Sequence, residues 1–117
     1  MPHLIIEHSA DLAEGHDIGA LCDRLFDMAM ASDLFPTKAA IKVRALPCPH
    51  WHIATEPQSF AHVTALVLSG RTTEDRAAVA RLILATLEAA LPDVGALSAD
   101  VRELNADIYA KRVLPQS

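Results

Sequence analysis

Cysteine is nearly missing from this chain, with Cys22 and Cys48 the only two. One falls in a helical pattern and the other in a proline-flanked loop. They make neither a disulfide framework nor a Cys-x-x-Cys motif, and free thiols are expected. Long apolar runs are missing too. Stretches such as residues 63–68 fall far short of the roughly 20 residues that span a bilayer, and the first residues lack the basic-then-apolar pattern of a signal segment. A cytoplasmic location is the expectation. Positive charge is the third shortage: 10 Lys and Arg face 15 Asp and Glu, a formal net charge of −5. That balance disfavours nucleic acid and anionic membranes as partners, since both want a basic face. Any site for an anion must gather its cations locally. No linker-like stretch divides the 117 residues, 51% of them apolar, so a single domain over 1–117 with one core is expected.

What is present is a repeated grammar of strand and helix. The segment His3-Leu4-Ile5-Ile6-Glu7-His8 is apolar and β-branched at its centre and predicts a short buried strand. From Asp17, a candidate amino-terminal cap, Ile18, Leu21, Cys22, Leu25, Phe26 and Ala29 recur at helical spacing, and the helix should stop before Phe35-Pro36. Ile41, Val43 and Ala45 then alternate with Lys42 and Arg44 up to Pro47-Cys48-Pro49, a second strand and its end. The second half follows the same order. Phe60 to Leu68 predicts a strand and Gly70 a turn. Thr72 caps a helix whose stripe is Val79, Leu82, Ile83, Leu87, Ala90 and Leu91, and residues 97–104 alternate as a fourth strand. Residues 105–111 read as a short helical turn carrying Tyr109.

Two β-α-β units result, about 2–46 and about 60–104, followed by a tail over 105–117. The fold class is α+β: a four-stranded mixed sheet with two helices on one face. The opposite face reads as too apolar for water, so its expected cover is other copies of the chain.

Chemistry enters at Pro2. Once Met1 is trimmed, Pro2 is an amino-terminal secondary amine, whereas an internal proline nitrogen is an amide and not a base. A free α-amine titrates near 8, and burial or neighbouring cations favour its neutral form, which can then act as a base. Lys42 and Arg44 lie two apart on a strand and so share a face, either as solvent-facing charges or as holders of an anion. Arg71 stands beside a predicted helix start, where free backbone N–H groups favour negative charge. Arg76 and Arg81 read as surface residues of the helix. The run Cys48-Pro49-His50-Trp51-His52 carries zinc-binding atom types, but no spaced partner pair stands elsewhere, and no metal is expected.

Several of these residues carry a resemblance. Pro2 opening a strand, Phe35-Pro36 followed by Ile41-Lys42-Val43-Arg44, the His50-Trp51 loop and the segment Ser69-Gly70-Arg71-Thr72-Thr73-Glu74-Asp75-Arg76 resemble the 5-carboxymethyl-2-hydroxymuconate isomerase family of the tautomerase superfamily. The similarity runs over nearly the whole chain. It implies a tautomerase-like homotrimer that works without metal or organic cofactor on a carboxylated dienol from bacterial homoprotocatechuate breakdown. It also implies that Pro2 is the proton-transferring group and that Arg71 lies near the substrate. Where the family shows an arginine on the second strand this chain has Lys42, with Arg44 two further on. Lysine is a point charge that cannot offer a carboxylate the bidentate fork of arginine. The loop over 46–58 is shorter than in the family pattern, which leaves substrate length open.

The residue types suit that chemistry. Turning a 2-hydroxydiene into an unsaturated ketone needs a base for the enol proton and an acid that protonates carbon, while cations or donors hold the charge on oxygen. Lys42, Arg44 and Arg71 would serve the carboxylates, and the same charges would depress the amine. The alternatives are a tautomerase of another 2-oxo acid such as phenylpyruvate, a dehalogenase or hydratase of the same superfamily, a noncatalytic trimeric small-acid-binding protein, and a metal-binding module.

Overall fold

The computed structural model of the chain describes residues 1–116. Its elements are β1 (His3–Ser9), α1 (Leu12–Gly15), α2 (Ile18–Ala31), β2 (Lys42–Cys48), β3 (Phe60–Leu68), α3 (Thr73–Ala90) and β4 (Ala96–Leu104). The sheet order is β2-β1-β3-β4. Within each half the two strands are parallel, and the halves meet through the antiparallel pair β1 and β3. The fold is therefore the duplicated β-α-β arrangement with a mixed sheet.

Local chemistry accounts for the helix limits. Asp17 Oδ1 accepts the Ala20 N–H at 3.0 Å, and Thr72 Oγ1 accepts the Asp75 N–H at 3.1 Å. Each cap satisfies a backbone donor that has no partner within its helix, a contribution of about 1 kcal/mol. At the far end of α2 the Lys38 ammonium donates to the carbonyls of Ala29 and Ser32, satisfying acceptors at the negative end of the helix. The core is one cluster between the helices and one side of the sheet: Leu4 and Ile6 from β1, Val63, Ala65 and Val67 from β3, Leu21, Leu25 and Ala29 from α2, Val79, Ile83 and Leu87 from α3. Both long helices thus cover the same face.

Three sequence expectations need correction. Phe26 was placed on the buried stripe of α2, yet it is 39% exposed, because the stripe that fits between sheet and α3 is only as wide as Leu21, Leu25 and Ala29. The turn α1 was not foreseen. It has no side-chain cap and is held by the burial of Leu12. The third correction concerns the open face of the sheet, which is mixed and not too apolar for water. Register aligns Lys42, His3, Leu66 and Arg102 in one row, Arg44, Ile5, Thr64 and Asp100 in the next, and Leu46, Glu7, His62 and Ser98 in a third. Water tolerates such a surface, so apolarity of that face gives no reason for a cover.

Gly95 sits where β4 begins, its N–H donating to Ser59 Oγ at 3.1 Å. A Cβ there would run into the backbone carbonyl of Pro57, whereas Gly15 has open space around it. Overpacking of this kind costs about 1–3 kcal/mol. Gly95→Ala is expected to lower the unfolding free energy from urea titration by that amount and Gly15→Ala to leave it almost unmoved; equal values for the two variants would contradict the close approach.

Candidate active site

The amino terminus lies at the start of the inner strand β1. Pro2 is fully buried, and its carbonyl accepts the Lys42 N–H at 3.0 Å, which continues the parallel pairing of β1 with β2 one residue beyond the ladder. Met1 is also buried, at 8% exposure, but stands outside the core cluster. Its amine is held below the ordinary value of 8.0, first by burial and then by the positive charges of Lys111, Lys42 and Arg71. Three separate elements supply those cations: β2, the turn before α3, and the carboxy-terminal tail. Three of the ten Lys and Arg residues of an acidic chain thus act on one nitrogen.

Arg71 is fixed by its surroundings. Its guanidinium stands over the ring of the buried Phe35, 5.3 Å from the centroid, a cation–π contact worth about 0.5–1 kcal/mol or more as water is excluded. The turn that carries it needs Gly70, whose φ of +115° disfavours any side chain. Glu103 at the end of β4 accepts the Gly70 N–H at 3.3 Å with one oxygen and pairs with Arg76 at 3.1 Å with the other. Arg76 therefore acts on the fold of the turn rather than on a ligand. Lys42 donates its ammonium to the Ala40 carbonyl at 3.0 Å while remaining exposed on the open face.

Arg44 behaves differently. It shares the open face with Lys42 but is not among the charges that depress the terminal amine; its guanidinium instead donates to His3 Nδ1 at 3.1 Å. The other ring nitrogen of His3 lies 2.9 Å from the Tyr109 hydroxyl, and the two rings meet edge to face. Burial first, then Arg44, Lys42 and the amino terminus, push the His3 pKa below its ordinary value. Lys42 and Arg71 thus both act on the amino terminus next to Pro2, while Arg44 is engaged by His3 instead. His3, Tyr109 and Lys111 join this cluster although the sequence reading singles out none of them for it. His3 had a visible signal, since it follows Pro2 and falls on the same side of β1 as Ile5. The two tail residues had none.

Other candidates fall elsewhere. A cavity of about 480 Å³ is lined by Leu84, Glu88, Leu91, Pro92, Val94 and Leu97. Register places Leu97 beside Ala61 and His8, at the other end of β1 from Pro2. It holds no cation to receive an acid. Trp51 is tied by its indole N–H to the Gln58 carbonyl at 2.6 Å, a loop contact. Among the described residues no three His, Cys, Asp or Glu side chains gather as a metal site, and no helix is long and apolar enough to cross a membrane.

The family model described as 5-carboxymethyl-2-hydroxymuconate isomerase matches residues 2–113, nearly the full length. The chain belongs to that family. It is thus an isomerase of the tautomerase superfamily. Among solved structures, a 5-carboxymethyl-2-hydroxymuconate delta-isomerase is 26% identical with a TM-score of 0.75, covering 97% of this chain and 88% of that one. A 5-carboxymethyl-2-hydroxymuconate isomerase from Deinococcus radiodurans R1 is 24% identical with a TM-score of 0.81, covering 95% and 88%. The fused 4-OT wild-type symmetric trimer shares the fold at 19% identity and a TM-score of 0.68, covering 88% and 85%. No curated protein sequence matched the chain.

The His3 environment gives this isomerase a pH signature. Arg44 and Lys42 from β2, the terminal amine and Tyr109 from the tail are the ionisable groups that face the ring. Between the lowered folded pKa and the ordinary value near 6.5, the unfolded chain binds the proton that the folded one refuses. Stability then rises with pH through that interval and falls as the solution is acidified. NMR titration of the His3 ring should show a midpoint below 6.5 that moves upward in Arg44→Gln. A midpoint at or above that value in the parent protein would contradict the arrangement.

Proposed function

We propose that this isomerase converts a carboxylated 2-hydroxydiene, 5-carboxymethyl-2-hydroxymuconate or a close analogue, into its conjugated 2-oxo isomer, with the amine of Pro2 moving the proton. The observation that carries the reading is the crowding of Lys42, Arg71 and Lys111 around the amino terminus of a chain with a net charge of −5. Removal of Met1 exposes the Pro2 nitrogen in the same field. Because Met1 is buried outside the core, trimming it also frees space beside the cations without opening the hydrophobic interior.

The steps balance within the substrate. The neutral amine takes the proton of the 2-hydroxyl, the oxygen becomes a carbonyl at C2, and the double bonds shift so that one remains between C3 and C4. The protonated amine then returns its proton to C5. Nothing is oxidised and no co-reactant is consumed. Negative charge passes through the oxygen in the dienolate, where Arg71 and Lys42 lower its energy, and they attract the substrate carboxylates beforehand. Arg44, held by His3, is a further cation at the border of this site and favours a substrate with more than one carboxylate. The cations that bind the acid also keep the amine unprotonated, so one field does both tasks.

The assembly belongs to the same proposal: a homotrimer. Both outer strands, β2 and β4, offer unpaired edges, and Leu46, Ile108 and Leu114 are 51%, 84% and 64% exposed on or near them and the tail. Edges of that kind pair with another chain unless blocked. The solved fused 4-OT symmetric trimer of the same fold supports the number three.

The decisive test joins mass and rate. Protein shown by mass spectrometry to lack Met1 should speed the ultraviolet decay of a 2-hydroxymuconate, and Pro2→Ala should lose about a hundredfold or more of that rate, the scale of general acid–base catalysis. Undiminished turnover by protein that retains Met1 would refute the proline mechanism. Saturable binding without turnover by trimmed protein would instead establish a noncatalytic acid-binding protein.

A further inference from the structure

Arg44, His3 and Tyr109 form a chain of hydrogen bonds whose direction is fixed by one member. A guanidinium has only donors, so the N–H of Arg44 donates and His3 Nδ1, 3.1 Å away, accepts. A ring nitrogen that accepts carries no proton. The proton of the neutral imidazole therefore resides on Nε2, and that N–H donates to the Tyr109 hydroxyl oxygen at 2.9 Å. The tyrosine oxygen is thereby an acceptor, and its own proton is turned away from His3. Among the described residues no protein acceptor takes that proton. Tyr109 is the one tyrosine of the chain, it is half-buried, and its backbone is extended, while its neighbour Ile108 points outward at 84% exposure. The tail thus presents its phenol to the start of β1 and brings Lys111 to the same place, where that ammonium acts on the amino terminus.

We propose that the Tyr109 hydroxyl donates a hydrogen bond to an anionic oxygen of the bound acid, and that His3 is the positioning residue that aims it. The proposal rests on the enol-isomerase reading of the site. A phenol relayed from Arg44 through His3 is the complement of a carboxylate or dienolate oxygen drawn in by Lys42, Arg71 and Lys111. It adds a directed donor beside the two lysine ammonium groups, which are point charges without direction, and the guanidinium of Arg71. Arg44 then has two roles from one position: a cation at the rim and the group that selects the His3 tautomer.

Tyr109→Phe tests this on trimmed protein, because it removes only the hydroxyl and keeps the edge-to-face ring contact with His3. Two quantities are measured: kcat/KM for a 2-hydroxymuconate and the calorimetric affinity for 2-oxoadipate, a saturated 2-oxo dicarboxylate. Both should fall about tenfold to a hundredfold, the range of a hydrogen bond to a charged group. His3→Asn keeps an acceptor for Arg44 but cannot reach the tyrosine. It should match Tyr109→Phe, and the double variant should be no worse than either single one. His3→Gln, whose amide extends to the Nε2 position, should recover part of the loss. If Tyr109→Phe stays within about twofold of the parent in both measurements, or if the effects of Tyr109→Phe and His3→Asn multiply, the proposal is overturned. The two readings separate cleanly. Weakened 2-oxoadipate binding in a protein with no isomerase activity upholds the Tyr109 contact and sinks the enol reading. Loss of turnover in Pro2→Ala with an unaffected Tyr109→Phe does the reverse.

Discussion

Burial of the amino terminus, in the field of three positive charges, is the constraint on which the rest of this structure depends. A terminal amine that is partly buried and surrounded by Lys42, Arg71 and Lys111 cannot hold a proton as a free amine does. Leaving those cations unbalanced costs the folded protein some stability, and on the proposed function an anionic substrate would return it. The sheet makes this crowding possible. Because β1 is an inner strand, its first residue is flanked by β2 on one side and β3 on the other; β2 begins there with Lys42, and the chain that leaves β3 leads on to Arg71. Net negative charge elsewhere sharpens the contrast between this corner and the remaining surface.

Precision at the corner comes from groups that touch no ligand. Phe35 lies under the guanidinium of Arg71, and Gly70 gives its turn the required backbone. Glu103 pins that turn from the end of β4, so the second β-α-β half positions an arginine whose charge reaches the amino terminus of the first. The duplication of the fold therefore has a chemical consequence: one copy supplies the amine and the other supplies an arginine. The tail closes the arrangement by crossing from the end of the second half to His3 of the first.

Much of this architecture is legible in the order of residues. The alternation of β3 and the stripe of α3 are regular because both elements bury one side only, and the capping residues Asp17 and Thr72 stand where their hydrogen bonds are made. Short or marginal features are less legible. The turn α1 has four residues and one buried side chain, too few for a period to emerge, and Phe26 fits a helical stripe by spacing although the space beneath it is already filled. The open face is less apolar than the strands as a whole, because Leu4, Ile6 and Val63 of β1 and β3 point to the helices. At the site, Pro2, Lys42 and Arg71 announce themselves by position and charge. The bond from His3 to Tyr109 joins residues 106 positions apart, and no local spacing rule links them.

The central claim is that the field at this corner keeps the Pro2 amine neutral under working conditions. Its most direct test is an isotope-edited NMR titration of the Pro2 nitrogen in protein lacking Met1. The account predicts a pKa well below the value of about 8 usual for an α-amine, rising when Arg71 or Lys42 is neutralised. A Pro2 amine that titrates at or above the usual value, indifferent to both substitutions, would contradict it.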